Sequence, residues 1–134
     1  MQERIEALRT KLEDANCRAF VSLSQPDNYY LTGFRGSTSA VIVTGDRAEF
    51  LCDFRYSEQA KEQVKGFEIR EVGSSLLEPV GERLDQLKVR RAAFEPGGMF
   101  VSQREQIEKR SSCQLKPVAG VVGQLRMRKD AGEL

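Results

Sequence analysis

Histidine is absent from all 134 residues of the sequence. Without an imidazole the chain cannot form a Ser-His or Cys-His nucleophilic pair, an H-E-x-x-H zinc site or a histidine acid–base catalyst. Composition leaves carboxylate-only metal sites open, but the acidic residues mostly stand beside basic ones on predicted helix surfaces, as on a solvated face. The missing histidine therefore argues against several common kinds of hydrolytic site in this chain.

Cysteines and long apolar runs are also scarce. Cys17, Cys52 and Cys113 are far apart and form no C-x-x-C pair, so we expect buried, reduced thiols rather than disulfides or metal ligands. No run approaches the roughly 18 apolar residues that span a membrane. The N-terminus mixes acids and bases where a secretory signal needs an apolar segment. We therefore expect a cytoplasmic protein with no membrane partner.

The charges are balanced and interleaved. Twenty-one basic residues face 20 acidic ones, which gives a net charge of +1 and no basic stripe of the kind that binds a phosphate backbone. Hydrophobic residues make up 40% of the chain, enough for one domain with a real core. These numbers predict an ordinary globular domain that does not bind nucleic acid.

Predicted strands and helices alternate along the chain. The pattern predicts strands over residues 19–23, 40–44, 47–52, 67–72, 89–94 and 114–118. It predicts helices over residues 2–15, about 25–30, 54–65, from 75 to about 87 and from 102 to about 110. Gly45-Asp46 joins the second and third strands as a hairpin turn. This order indicates an α/β layer architecture whose sheet is mixed because of the hairpin.

Several polar residues have the spacing of helix caps. Ser24 and Asp53 each precede a predicted helix, and Ser75 and Ser102 begin S-x-x-E capping boxes. At the end of the chain, residues 130–133 repeat the D-x-x-E spacing of a helix start, although the chain stops one residue later. We therefore expect that the sequence was cut from a longer protein.

The stretch "YYLTGFRGSTS", residues 29–39, combines glycines, aromatic residues, an arginine and hydroxyl residues. It lacks the lysine and the strand–loop–helix context of a P-loop. Gly33 to Gly36 matches the GXXG of a KH domain, but a strand follows where that fold has a helix. Ser37 or Ser39 could be a nucleophile only with a lysine or terminal-amine base, and no S-x-x-K motif begins there.

A plain turn is the simplest interpretation of this stretch, because glycines bend the chain and hydroxyls bond the local backbone. It leaves unexplained why Tyr29, Phe34 and Arg35 share one loop, since aromatic and guanidinium groups favour recognition. From the residues alone, a turn and a recognition loop both stay open.

With its neighbours, the stretch resembles the N-terminal domain of the creatinase, prolidase and aminopeptidase P family. The family pattern is approximately N-x-x-Y-L-T-G-F-x-G-S, a hairpin, and then T-D-x-R-Y-x-x-Q-A. The closing residues 125–130 are similar to the linker that precedes the catalytic domain of that family. The matching residues are Asn28, Leu31, Thr32, Gly33, Phe34, Gly36, Ser37, Asp53, Arg55, Tyr56, Gln59 and Ala60.

The resemblance implies a three-layer α/β/α fold with a mixed sheet of about six strands and a ribonuclease H-like motif. It implies an N-terminal domain over residues 1–124. Residues 125–134 would then start a linker helix to a C-terminal catalytic domain that is missing here. The chain would be a noncatalytic domain, with neither catalytic nor metal-binding residues of its own.

For the parent protein, the resemblance implies a peptidase that cleaves bonds preceding proline, an Xaa-Pro dipeptidase or aminopeptidase. Its two divalent metals (manganese, cobalt or zinc) would lie in the pita-bread catalytic domain. The partners of this chain would be its own catalytic domain, a second subunit in a homodimer and, in the parent, a proline-containing peptide. The alternatives are the N-terminal domain of a creatinase-like amidinohydrolase and a free-standing binding module.

The same resemblance places the loop of Phe34, Arg35, Gly36 and Ser37 over the active site of a neighbouring subunit, where it limits substrate length. Arg35 would bind a substrate carboxylate through two N–H groups, and Phe34 would supply an apolar wall. We interpret the second motif, Asp53 with Arg55 and Tyr56, as structural, with Asp53 as a helix cap. Glu95 receives the same structural interpretation.

Overall fold

Six strands and five helices alternate in a computed structural model that describes residues 2–122. The predicted linker at 125–134, and the cap spacing at 130–133, lie outside the described residues. The strands are β1 (Ala19–Ser22), β2 (Ala40–Thr44), β3 (Ala48–Asp53), β4 (Glu68–Val72), β5 (Arg91–Phe94) and β6 (Gln114–Pro117). The helices are α1 (Gln2–Asp14), α2 (Gln25–Thr32), α3 (Ser57–Gln63), α4 (Leu77–Gln86) and α5 (Val101–Lys109).

The strands form one mixed sheet in the order β4-β3-β2-β1-β5-β6. β2 pairs antiparallel with both β1 and β3, whereas the pairs β1–β5, β5–β6 and β3–β4 are parallel. Five strands therefore point the same way and β2 alone runs against them. We call the side where those five strands end the carboxyl edge of the sheet. The predicted mixed α/β sheet of six strands is confirmed.

Both faces of the sheet are covered, so its central strands are apolar on both sides. Phe20 and Phe50 pack with α1, α2 and α3 on one face, through a core that includes Ile5, Leu8, Leu31 and Ala60. The alternate residues pack with α4 and α5 on the other face, through Val21, Ile42, Leu51, Val80, Leu84 and Ile107. This division gives three layers, helices–sheet–helices.

Two predicted caps are present and two are wrong. The Ser24 hydroxyl accepts from the Asp27 N–H, and Asp53 caps a 3-10 turn (Phe54–Tyr56) that leads into α3. Helix α4 instead begins after Leu76, without a side-chain cap. Counted from Leu76 at the cap position, the third residue is Pro79, which has no N–H, so the first turn has one donor fewer for a cap to satisfy.

Helix α5 also begins earlier than the predicted Ser102 cap. The Gln103 side chain reaches back and accepts from the Phe100 N–H at 2.8 Å, so Phe100 is the residue at the cap position. Ser102 consequently lies inside the first turn of the helix. The cap position is thus occupied by an exposed aromatic residue whose side chain cannot accept a hydrogen bond.

A fully buried carboxylate lies in the middle of the sheet. Glu49 on β3 faces α4, and its two oxygens accept from Nε and Nη2 of Arg83, each at 2.7 Å. Arg47 and Arg70 lie 3.5 and 3.8 Å from the same carboxylate. Burial alone would raise the pKa of Glu49, but the hydrogen bonds and charge of Arg83, with the charges of Arg70 and Arg47, hold this pKa below its ordinary value.

Candidate functional site

The loop between α2 and β2 is fastened where it leaves the helix. Gly33 adopts a φ of 88°, and its N–H donates to the Tyr29 carbonyl, which closes the C-terminus of α2. The Thr32 hydroxyl donates to the Asn28 carbonyl at 2.6 Å and accepts from the Phe34 N–H at 3.0 Å. The first residues of the motif therefore fix the backbone at the start of the loop.

The far end of the loop is tied to the same helix. The buried Asn28 side chain donates through Nδ2 to the Ser39 carbonyl at 3.2 Å and to the Ser39 hydroxyl at 2.9 Å. Both residues are almost fully enclosed. Asn28 thus closes residues 33–39 into a loop whose two ends are held by one helix.

Phe34 lies beneath the loop rather than on its surface. Its side chain is fully buried and meets Phe50 and Tyr56 edge-on, with ring centroids 4.9 and 6.1 Å away. The ring has no surface left to form the expected apolar wall against a substrate. Phe34 instead anchors the loop in the core.

Gly36 lies directly on the Phe34 ring. A β-carbon at this position would come within 2.5 Å of Phe34 Cε2, closer than real β-carbons approach other atoms. Only glycine lets the backbone cross the ring at this height. Glycine is therefore required at the two positions for different reasons. Residue 33 has a positive φ, and residue 36 lies too close to the Phe34 ring for a β-carbon.

Arg35 and Ser37 are the exposed members of the predicted site. The Arg35 N–H donates to Gln63 Oε1 at 2.8 Å, so the main chain of the loop is braced against α3. Within residues 2–122 the Arg35 guanidinium makes no hydrogen bond or ion pair. The loop consequently presents an unengaged cation and a hydroxyl on a rigid backbone.

The second motif forms a local ion pair. Asp53 Oδ2 accepts from Arg55 Nη2 at 2.7 Å, and Oδ1 accepts from the Arg55 N–H at 2.8 Å. These Arg55 hydrogen bonds outweigh the effect of burial and, with the positive charge, hold the pKa of Asp53 below its ordinary value. The Arg55 guanidinium also lies 5.6 Å from the centre of the Tyr56 ring. This geometry agrees with a structural role.

The sheet brings the two motifs to the same edge. Ala40 at the start of β2 lies opposite Leu51 near the end of β3, so the loop and the Asp53 turn both stand at the carboxyl edge. Phe54 emerges there with 68% of its surface exposed. Sequence reasoning missed this residue, and the available signal was an aromatic residue directly after a helix-capping aspartate.

Chemically, this edge offers donors and an apolar ring. Arg35 and Ser37 can hold an anionic group such as a carboxylate, and Phe54 can pack against an apolar one. A hydroxyl and a guanidinium supply no base near neutral pH. The arrangement is suited to binding and positioning.

Glu95 has a different task at the same edge. Its carboxylate accepts from the Val122 N–H at 2.7 Å and from the Gly120 N–H at 3.3 Å. Val122 is itself fully buried, against the side of the sheet that carries α1. Glu95 therefore fixes the path along which the chain leaves the sheet after β6.

The thiols are unsuited to catalysis. All three cysteines are buried and unpaired. Burial, with smaller contributions from the negative charges of Glu108 and Asp85, raises the pKa of Cys113 to about 11. Such thiols stay protonated at neutral pH and are poor nucleophiles.

In the part of the chain that the structure describes, no group of three or more Cys, Asp or Glu side chains is placed to hold a metal ion. The helices there are all too short or too polar to cross a bilayer.

An open cleft of about 930 Å³ lies at the edge opposite the loop, between the ends of α1 and α4 and the β2–β3 turn. Arg9, in its wall, is already engaged by the carbonyls of Thr44 and Arg47.

The family model of the Creatinase/Prolidase N-terminal domain matches residues 4–128. An uncharacterized peptidase of Bacillus subtilis (strain 168), YqhT, is 36% identical over 135 residues, which cover 98% of this chain and 37% of that protein. This chain therefore spans little more than a third of that relative.

Two solved structures extend the comparison. The Xaa-Pro dipeptidase from Bacillus anthracis has a TM-score of 0.88 and 27% identity, over 93% of this chain and 35% of that one. The aminopeptidase P (Xaa-Pro aminopeptidase) from Streptococcus thermophilus has a TM-score of 0.82 and 30% identity, over 95% and 98% of the two chains. Both are similar to this chain over nearly its whole length.

Proposed function

Because the chain belongs to the creatinase/prolidase N-terminal domain family, we propose that it serves as the noncatalytic N-terminal domain of a longer Xaa-Pro peptidase. The relatives that support this proposal are named a peptidase, an Xaa-Pro dipeptidase and an Xaa-Pro aminopeptidase. Two divalent metals, manganese, cobalt or zinc, would bind in the catalytic domain of the parent and activate water there.

The domain would act through the loop that carries Arg35. In a homodimer this loop would lean over the active site of the second subunit and limit the length of peptide that enters. The observation that carries the proposal is the contrast within the motif. Asn28, Phe34 and Gly36 are buried or packed against a ring, while the Arg35 side chain is exposed and has no ion-pair partner among residues 2–122. A rigid loop can hold a guanidinium at a fixed distance from a substrate carboxylate.

The direct test is a substitution in the full-length parent. Arg35→Ala should raise KM for short Xaa-Pro peptides about 10-fold or more, because a hydrogen bond to a charged group contributes about 1.5–3 kcal/mol. Arg90→Ala is the matched control, since Arg90 is an exposed arginine just before β5, at the opposite edge of the sheet. Unchanged KM from dipeptide to tetrapeptide would remove Arg35 from the site.

The noncatalytic assignment has its own test. The purified 134-residue chain should show no turnover of an Xaa-Pro dipeptide with added manganese, because the exposed groups of the site include no base. Measurable turnover that survives repurification and responds to chelator would contradict the proposal.

A further inference from the structure

The main chain of the loop is attached to the fold between its two ends as well as at them. Thr32 and Asn28 of α2 hold the ends. The further attachment is made by a side chain of another helix, because the Arg35 N–H donates to Gln63 Oε1 at 2.8 Å across 28 residues of sequence. This contact falls on the residue whose side chain is exposed. Gln63 therefore holds the backbone from which the guanidinium extends.

The amide of Gln63 has a defined orientation. The main-chain N–H of Arg35 can only donate, so the oxygen of the Gln63 amide has to face it, and its NH2 group has to face away. Gln59, one turn earlier on α3, donates through Nε2 to the same oxygen at 3.3 Å. Two donors thus meet at one acceptor, and they fix which way the Gln63 side chain points.

Helix α3 gives this support a fixed base. Ala60 is fully buried and Val64 nearly so, and both belong to the core on the α1 side of the sheet. Directly after the helix, the Lys65 N–H donates to the Thr32 carbonyl at 3.1 Å, which ties the end of α3 to the end of α2. Gln63 therefore reaches the loop from a helix end that is held on two sides.

We propose that Gln63 is a positioning residue for Arg35, and that through Arg35 it sets the preference of the full-length parent for short peptides with a free C-terminal carboxylate. This inference rests on the proposed function and deepens it, since it names a residue outside the loop that acts without touching the peptide. An arginine side chain has many rotamers, so a freed backbone would spread the guanidinium over still more positions. A carboxylate bound through two parallel N–H groups is sensitive to such displacement.

The test in the full-length parent uses Gln63→Met, which has nearly the same shape and removes the acceptor. KM for an Xaa-Pro dipeptide should rise about 3- to 10-fold, the range that corresponds to one lost hydrogen bond, with kcat unchanged. The inhibition constant of the same dipeptide as its C-terminal amide should stay the same. General damage to the fold would weaken the binding of both compounds, so their ratio separates positioning from a merely structural role.

A double variant shows whether Gln63 acts through Arg35. Once Arg35→Ala has removed the guanidinium, adding Gln63→Met should raise KM no further, whereas independent roles would multiply the two effects. Gln106→Met is the matched control, because Gln106 is an exposed glutamine of α5, on the opposite face of the sheet. It should leave both KM and the inhibition constant of the amide unchanged.

Amide hydrogen exchange in the 134-residue chain measures the support without any activity. The Arg35 N–H should exchange about 10-fold faster in Gln63→Met, because its acceptor is gone. Gln63→Glu keeps an acceptor and should retain the protection. Unchanged exchange in Gln63→Met, or an equal loss of affinity for the dipeptide and its amide, would overturn the proposal. If the proposed function itself is wrong, Arg35→Ala leaves KM unchanged, which removes the substrate role of Gln63, while the exchange of the Arg35 N–H still responds to Gln63→Met.

Discussion

Arg83→Met should be among the most destabilising single changes outside the hydrophobic cores. Glu49 is 1% exposed at its side chain, and Arg83 supplies its two shortest contacts, both 2.7 Å. Removing one partner of a buried ion pair costs about 3–5 kcal/mol, because the other charge stays buried. Arg47 and Arg70 stay within 3.8 Å of the carboxylate and soften this loss. We therefore expect about 3 kcal/mol.

The reverse change should cost less. Glu49→Leu leaves Arg83 without its carboxylate, but that side chain is 15% exposed and already donates to Gln86 Oε1 at 3.0 Å. It can turn its head toward water, so we expect a loss of about 1–2 kcal/mol. The double variant Glu49→Leu with Arg83→Met leaves no charge buried at this position. Its free energy of unfolding should lie within about 1 kcal/mol of that of the unsubstituted chain.

Urea unfolding followed by circular dichroism at neutral pH measures all four proteins of this cycle. Arg90→Met is the matched control, because the contact from Arg90 to Asp85 is 3.9 Å long and largely exposed. It should change the unfolding free energy by less than about 0.5 kcal/mol. A loss below about 1 kcal/mol for Arg83→Met, or additive effects in the double variant, would refute the reasoning.

The same pair predicts a pH dependence with a definite sign. Because the pKa of Glu49 is lower in the folded chain than in the unfolded one, its contribution is complete above the unfolded value of about 4.3. The contribution is lost as the pH falls through the folded pKa. When the pH is lowered from neutral into the acid range, the Glu49→Leu variant should therefore lose less stability than the unsubstituted chain does.

Two further changes test backbone geometry. Gly36→Ala should destabilise the chain by about 1–3 kcal/mol, because the added β-carbon would overlap the Phe34 ring. Gly97→Ala is the control and should cost far less, because the space around Gly97 is open. Equal losses of stability in the two variants would contradict the packing seen at the loop. Lys88→Gly should stabilise the chain by about 0.5–1 kcal/mol, because Lys88 has a φ of 59° just after the end of α4, where glycine is unstrained. A loss of stability in the same urea titration would show that the stabilisation by the Lys88 side chain exceeds the cost of the backbone strain.

The fold was largely readable from the sequence because its signals are local. The apolar stretches of β1 and β2 and the Gly45-Asp46 turn predict a hairpin in a mixed sheet. Ser24 is a cap in both the prediction and the structure. The predicted starts of two helices were wrong. The Gln103 side chain places the start of α5 at Phe100, and α4 begins after Leu76 without a side-chain cap.

Long-range partners were not readable. Glu49 lies in β3, whose sequence, AEFLCD, is typical of a half-exposed strand with the glutamate in solvent. Its partner Arg83 is 34 residues away in the sequence. Phe34 was expected to face a substrate because the family resemblance placed its loop over an active site, and an aromatic residue between glycines carries no sign of its direction. Its burial depends on Phe50 and Tyr56, which come from a later strand and the turn that follows it.

The loop motif can now be divided by what each position does. In the family pattern T-G-F-x-G-S, the threonine and first glycine close α2, the phenylalanine enters the core and the second glycine crosses its ring. These positions determine the shape of the loop and leave one position between Phe34 and Gly36 unspecified. Arg35 occupies that position, and its side chain is exposed on a backbone that Gln63 braces. A pattern that fixes the backbone but not this side chain allows related domains to keep one loop shape and change what it binds. Arg35 therefore stands at the one position between Phe34 and Gly36 that the pattern leaves open, and under the proposed function a specificity for carboxylates would reside there.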